Sequence, residues 1–397
     1  MADLFDKCIH GTAERARKAV KEGYYPYFKA IESGADTEVI IDGEKKVMIG
    51  SNNYLGLTQD ERVKKAAIKA IEDFGSGCTG SRFLNGTLAL HEELEARLAE
   101  FMQVETVLVF STGFQTNQGT ISTIVGRNDM VIGDNENHAS LVDGVRLGFG
   151  KAYKYRHNDM QDLDNIISRN KKDNQGILIV SDGVFSMGGD IVDLPALIKV
   201  AKKHKARVMI DDAHSVGVLG DNGRGTAEHF QMEDDVDLIM GTFSKSFASI
   251  GGFIAGDEDI VHYIKHTSRA LIFSASPPPA AVATVIEAVK ILQNEPERRE
   301  KLWQNVKKMK KGFQELGFNT GNSQTPIIPI IVGDDDKTFY FWRSLYDNGI
   351  FVNPVISPAV PPGNSLLRTS YMATHTDKEL DFVLGVFEKV GKGMDII

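Results

Sequence analysis

Five short runs of almost wholly apolar residues, at 106–110, 130–133, 176–182, 207–212 and 237–241, dominate the middle of the chain. Each is too short for a buried helix, and the segments between them (115–125, 138–147, onward from 160, and 194–204) carry helical periodicity. Strands that are apolar on both faces and alternate with helices form a mainly parallel central sheet with helices on both faces, an α/β fold. A further strand is expected over 152–155. Such sheets bind ligands beyond the carboxyl ends of their strands. Chemistry is therefore sought at Ser111, His138, Asp211 and the stretch following Gly241.

The pattern changes after Pro277-Pro278-Pro279. One long helical region is expected over 280–316, then strands at 327–332 and 349–354 and a final helix at 377–392. This predicts a smaller C-terminal α+β domain. Ahead of the sheet, a helix over 12–33 leads to a hairpin (38–41 and 46–49) turned at Asp42-Gly43. Thr58-Gln59-Asp60-Glu61 has the capping-box pattern and opens a helix to Phe74, with another over 88–102. The expected division is 1–48, an N-terminal helix and hairpin segment; 49–279, a large cofactor-binding domain; and 280–397, a small domain.

The 397 residues suffice for a large core without staples, and 54 acidic against 45 basic residues give a net charge of −9. A general nucleic-acid binder would lean the other way, so no nucleic-acid partner is expected. With two cysteines, Cys8 and Cys78, and no metal-ligand spacing, a reducing, cytoplasmic setting is expected and a metal site is not. No apolar run spans a bilayer. A peripheral contact with the inner face of the cell membrane would need no such run and stays compatible with the sequence. Gly75-Ser76-Gly77-Cys78-Thr79-Gly80 fits G-x-G-x-x-G, but a helix precedes it and more loop follows, so the dinucleotide reading lacks its strand–turn–helix context.

Four features then stand at strand ends. Lys245, in Gly241-Thr242-Phe243-Ser244-Lys245-Ser246, suits a Schiff-base nucleophile; alone it reads as an ordinary exposed lysine. Asp211, in Asp211-Asp212-Ala213-His214, suits an acid that keeps a pyridine nitrogen protonated, or equally a structural cap. Ser111-Thr112-Gly113-Phe114 joins a strand to a helix, where amide N–H groups and the helix dipole favour a phosphate; the plain alternative is a helix cap. His138 can stack on an aromatic ring or merely begin a helix. In this order, phosphate cradle, stacking imidazole, acid and lysine form the set that pyridoxal phosphate (PLP) chemistry needs.

At these residues, and at Gly50-Ser51-Asn52-Asn53-Tyr54-Leu55-Gly56-Leu57, Phe273-Ser274-Ala275-Ser276 and 367–376, the chain resembles the α-oxoamine synthase family of fold-type-I PLP-dependent transferases. The resemblance runs from about residue 37 to 380. It implies that Lys245 holds PLP covalently and removes the substrate's α-proton, that Asp211 pairs with the pyridine nitrogen, and that His214 pairs with the ring hydroxyl. His138 is implied to stack on the ring and meet the substrate carboxylate. Gly113, Phe114, Thr242 and Ser244 would line the cofactor and its phosphate, with Ser186 beside the ring. Ser274 and Ala275 are implied to reach the phosphate of a neighbouring subunit, making a homodimer with shared active sites. Asn52 and Arg368 would bind substrate, Arg368 clamping the carboxylate. Outside the resemblance, Arg368 reads as a surface arginine.

The implied activity is a decarboxylating condensation of an amino acid with an acyl-coenzyme A. Loops 80–87 and 351–361 are similar to those of the bacterial members that use L-serine and a long-chain acyl-coenzyme A, and the first differs from the glycine- and alanine-using members. The rivals are a sister enzyme with a smaller amino acid, an aminotransferase on the same fold, and a non-enzymatic binding protein.

Overall fold

The computed structural model describes residues 3–397. The hairpin consists of β1 (Glu38–Ile41) and β2 (Glu44–Met48). The central sheet contains β3 (Thr106–Phe110), β4 (Met130–Asp134), β5 (Lys151–Tyr155), β6 (Ile177–Asp182), β7 (Arg207–Asp211), β8 (Leu238–Thr242) and β9 (Gly252–Gly256), in the order β3-β9-β8-β7-β6-β4-β5. From β8 to β5 every pairing is parallel, whereas β9 runs antiparallel to both neighbours. All residues of β4, β6 and β8 are buried, as the unbroken apolar runs require. The expected five strands and the 152–155 strand are present; β9 is an addition.

The C-terminal part carries β10 (Ile327–Gly333), β11 (Ile350–Phe351), β12 (Asn353–Val355) and β13 (Ser365–Ser370). A three-stranded antiparallel sheet runs β10-β13-β12, and β11 joins β2 of the N-terminal hairpin in parallel. Chain termini distant in sequence thus share one small sheet.

Several boundaries differ from the expectation. The helix expected over 12–33 is Thr12–Lys21 and stops where Gly23 takes φ 79°, ahead of Tyr24-Tyr25-Pro26. The helix Glu61–Phe74 is capped by Asp60, whose carboxylate accepts from the Arg62 amide, and not by Thr58. The Thr58 hydroxyl instead donates to the Ala35 carbonyl at 2.6 Å and accepts from Asn53. The long helical region is two helices, Pro279–Asn294 and Pro296–Leu316, broken at Glu295 because the residue before a proline avoids helical angles. A helix at Asp335–Asp347 was not foreseen.

Four phenylalanines tie the C-terminal helices to one another. Phe313, Phe318, Phe341 and Phe387 form a mutual cluster, with Phe313 and Phe387 centroids 5.0 Å apart and Phe341 and Phe387 5.6 Å apart. Phe313 is fully buried, so truncation leaves a cavity that costs about 3–5 kcal/mol. Phe313→Ala is expected to lower the thermal unfolding midpoint clearly, while Phe382→Ala, at an exposed position, leaves it unchanged; equal midpoints for both variants would contradict the packing described.

Candidate active site

Strands β6, β7 and β8 end together, and the helix Gly113–Ile124 begins above them, enclosing a cavity of about 360 Å³. Lys245 follows β8 and lines this cavity. Burial among its walls pulls the Lys245 amine down to about 8; the negative charges of Asp211 and Asp182 oppose the shift, and Arg368 adds to it. A lysine in this range has a substantial free-amine fraction near neutral pH, as a nucleophile or base requires.

Asp211, the last residue of β7, is 4% exposed and faces the same cavity. One carboxylate oxygen accepts from Asn117 Nδ2 at 2.6 Å and the other from the Ala213 amide at 3.0 Å. Its neighbour Asp212 has the structural role: it accepts from the amide and hydroxyl of Thr226, and burial lifts it to about 6. The structural reading of this Asp-Asp pair thus falls to Asp212, which leaves Asp211 facing the cavity.

Asp182 ends β6 in direct register with Asp211 and also lines the cavity. Burial, together with the Asp211 charge, pushes its carboxyl well above the usual carboxylate range. It accepts from the backbone N–H of His138 at 2.9 Å, which fixes where that histidine starts its helix. The sequence signal was available, since Asp182 closes an apolar run just as Asp211 does.

His138 caps the helix Ala139–Leu147 and lines the cavity. Burial keeps its imidazole below its ordinary pKa, against the pull of Asp211 and with help from Lys245. The Phe114 ring lies 6.2 Å away at a steep angle. His214 is buried opposite, its Nδ1 2.7 Å from the Tyr54 hydroxyl. Burial, Lys245 and Arg368 hold it strongly neutral, while burial raises Tyr54 to about 12.

At the amino end of the Gly113–Ile124 helix, Thr112 is the N-cap and accepts from the Gln115 amide. A Cβ on Gly113 would stand 2.6 Å from Thr242 Oγ1, so only glycine lets the helix start approach β8 this closely. The Thr242 and Ser244 hydroxyls lie 3.0 Å apart beside it. Amide groups at a helix start, two hydroxyls, a buried acid and a lysine are the donor and charge set that PLP demands: anion, pyridinium and aldehyde each find a partner. The residues fit the cofactor.

Arg368, on β13, is buried rather than on the surface. Its Nε donates to the Ser186 carbonyl at 2.5 Å and its Nη2 to Asn52 Oδ1 at 3.0 Å, so Asn52, Ser186 and Arg368 converge from three distant segments. The turn carrying Ser186 is pinned from behind by His157, a residue that the sequence did not single out. Its two ring nitrogens face Asp134 at 3.1 Å and Asp190 at 2.9 Å; burial opposes its charge, but the carboxylates prevail and hold it at about 10. Ser274 and Ala275 do not line the cavity within one chain. Ser274 accepts from Gln115 Nε2 at 3.0 Å, and the Ala275 carbonyl accepts from Ser111.

A family profile described as aminotransferase class I and II matches residues 44–387. The chain belongs to that family, and its fold is that of a fold-type-I PLP-dependent transferase. Curated relatives include a serine palmitoyltransferase of Bacteriovorax stolpii, 51% identical and covering 96% of this chain and 91% of that protein. An 8-amino-7-oxononanoate synthase of Treponema denticola is 42% identical and covers 97% of each. Among solved structures, the serine palmitoyltransferase of Sphingomonas wittichii superposes with a TM-score of 0.96 at 38% identity over 100% of both chains. Another, described as SPT with its PLP internal aldimine, gives 0.95 at 37% identity over the same coverage.

An amine adds to an aldehyde such as that of PLP only in its unprotonated form. With the Lys245 amine at about 8, uptake of PLP by the cofactor-free protein is expected to accelerate as pH rises and to level off above about pH 9. Rapid-mixing absorbance measures this; a rate independent of pH would contradict the assigned environment of Lys245.

Proposed function

We propose that the chain condenses L-serine with palmitoyl-coenzyme A, releasing coenzyme A and carbon dioxide and giving 3-ketodihydrosphingosine. The observation that carries the reading is the convergence of Lys245, Asp211 and His138 around one cavity, with Arg368 bonded to the carbonyl of Ser186 in its wall. The half-identity to serine palmitoyltransferases over nearly the whole chain supports the choice of substrates.

Bound in the cavity, PLP supplies an electron sink for negative charge at the amino acid's α-carbon. Arg368 holds the serine carboxylate through its remaining N–H groups, a geometry suited to a planar guanidinium. His138 faces the same carboxylate. Lys245 takes the α-proton on Nζ, its lowered pKa making the free amine available. Asp211 would hold the pyridine nitrogen, with Asn117 and the Ala213 amide fixing the orientation of its carboxylate. His214, neutral and bonded to Tyr54, offers its other ring nitrogen to the ring hydroxyl. Thr242, Ser244 and the amides at Gly113 and Phe114 receive the phosphate, and Ser186 stands beside the ring.

We propose further that the active unit is a homodimer in which Ser274 and Ala275 complete the partner's phosphate site. In support, the large apolar side chains Leu84 and Phe273 remain 76% exposed beside that loop, more than a solvent-facing surface favours. The proposed division is 1–48, 49–279 and 280–397, with the first and last segments sharing the sheet of β2 and β11. The proposed setting is the cytoplasm, with product formation feeding sphingolipid synthesis. No described helix is long and apolar enough to cross a membrane, and a peripheral contact is part of the proposal.

The identity to 8-amino-7-oxononanoate synthases favours one second reading, a sister synthase with another amino acid. The visible spectrum of the holoenzyme separates the two: L-serine is expected to shift it saturably, and a response to glycine or L-alanine alone would favour the sister. Arg368→Lys is expected to raise the serine KM about tenfold or more at nearly unchanged kcat, because a lysine cannot reproduce the fork. Lys245→Ala is expected to abolish turnover, and an active variant would defeat the proposal.

A further inference from the structure

We propose that Asn117 and Ser140 fix the ring proton of His138 on Nε2, so that the imidazole faces the cavity as a hydrogen-bond donor. The functional consequence rests on the proposed meeting of His138 with the substrate carboxylate.

The argument follows hydrogens along a chain of contacts. A carboxylate oxygen accepts: the Ala213 amide donates to one oxygen of Asp211, and the group 2.6 Å from the other is the Asn117 NH2 and not its carbonyl. This sets the amide's orientation. The second hydrogen of the same nitrogen points to Ser140 Oγ at 2.8 Å. Having accepted there, the Ser140 hydroxyl turns its own hydrogen to His138 Nδ1, 2.7 Å away. The backbone N–H of Ser140, which can only donate, aims at the same nitrogen at 3.3 Å. Nδ1 therefore carries the lone pair, and a neutral imidazole carries its proton on Nε2.

Asn117 is fully buried, and its Oδ1 has no hydrogen-bond partner among the described residues. A buried carbonyl left unpaired marks an orientation set by other demands; here those are Asp211 and Ser140. Asn117 and Ser140 are positioning residues. An Nε2–H attracts a carboxylate, whereas the other tautomer would turn a lone pair toward it.

Asn117→Asp tests this with almost no change of shape. The new side chain, protonated toward Asp211, accepts from the Ser140 hydroxyl, whose oxygen then receives a hydrogen from His138 Nδ1. In the holoenzyme labelled with nitrogen-15 at histidine, the His138 ring signals, assigned by their loss in His138→Ala, are expected to show the proton on Nε2 in the wild type and on Nδ1 in Asn117→Asp. The serine KM is expected to rise about tenfold with kcat little changed, while binding of the carboxylate-free amine serinol stays the same. If that variant does not fold, Ser140→Ala, which removes only the hydroxyl donor, is expected to move the serine KM in the same direction by about threefold. A wild-type spectrum with the proton on Nδ1, or an Asn117→Asp spectrum identical to wild type, overturns the proposal. If His138→Ala leaves the serine KM unchanged, the carboxylate reading fails, and the wild-type nitrogen spectrum still decides where the proton sits.

Discussion

Parallel strands buried on both faces have no place for a polar side chain except at their ends. Here β4, β6 and β7 end in Asp134, Asp182 and Asp211, all nearly inaccessible to solvent. Buried carboxylates are costly unless each is hydrogen-bonded or matched by a cation. Much of the site answers that demand. Asp134 is matched by His157, Asp182 takes the His138 amide while burial pushes its carboxyl up, and Asp211 takes Asn117 and the Ala213 amide. Lys245 provides the positive charge that Asp182 and Asp211 face, and burial, against the pull of those acids, brings its amine down to about 8. The catalytic environment is thus a consequence of ending apolar strands in acids at one sheet edge.

The proposed amino-acid recognition, by contrast, depends on a junction. Arg368 belongs to the C-terminal sheet, yet it reaches the turn after β6 through the Ser186 carbonyl and the segment after β2 through Asn52. That turn is gripped from the other side as well. The Gly189 carbonyl accepts from the Gln324 amide and from Thr325 Oγ1, each at 2.9 Å, and Gly189 itself has φ 70° against Ile327. With His157 and Asp190 behind it, the turn is clamped between the central sheet and the smaller one. The guanidinium is held by groups from elements that meet only when the whole chain is folded.

Much of the fold was legible because burial leaves a periodic trace. The five apolar runs are strands, and the helix at 194–204 is found at those residues. The failures have local causes. Strand β9 begins with Gly252, a weak strand former, but a Cβ there would stand 2.7 Å from Gly113 Cα, so close packing requires the residue that hides the strand. The helix Asp335–Asp347 mixes aromatic and charged residues with a narrow apolar face, and the helix expected over 12–33 is cut by Gly23. In the site, Lys245, Asp211, His138 and Gly113 stood out because each follows a strand, while Arg368 stood out only through resemblance.

From residue order alone, the protein is determined to be a mainly parallel α/β sheet with a strand-to-helix turn, a histidine, an acid and a lysine presented in turn along one edge. Hydropathy and strand length suffice for that, since both act locally. Only the tertiary structure decides which groups become partners. Asn117 meets Asp211 across 94 residues, His214 meets Tyr54 across 160 and Arg368 meets Ser186 across 182. Hydrogen bonds are directional and short, so the proton positions and pKa values they set depend on distances that no pattern along the chain encodes.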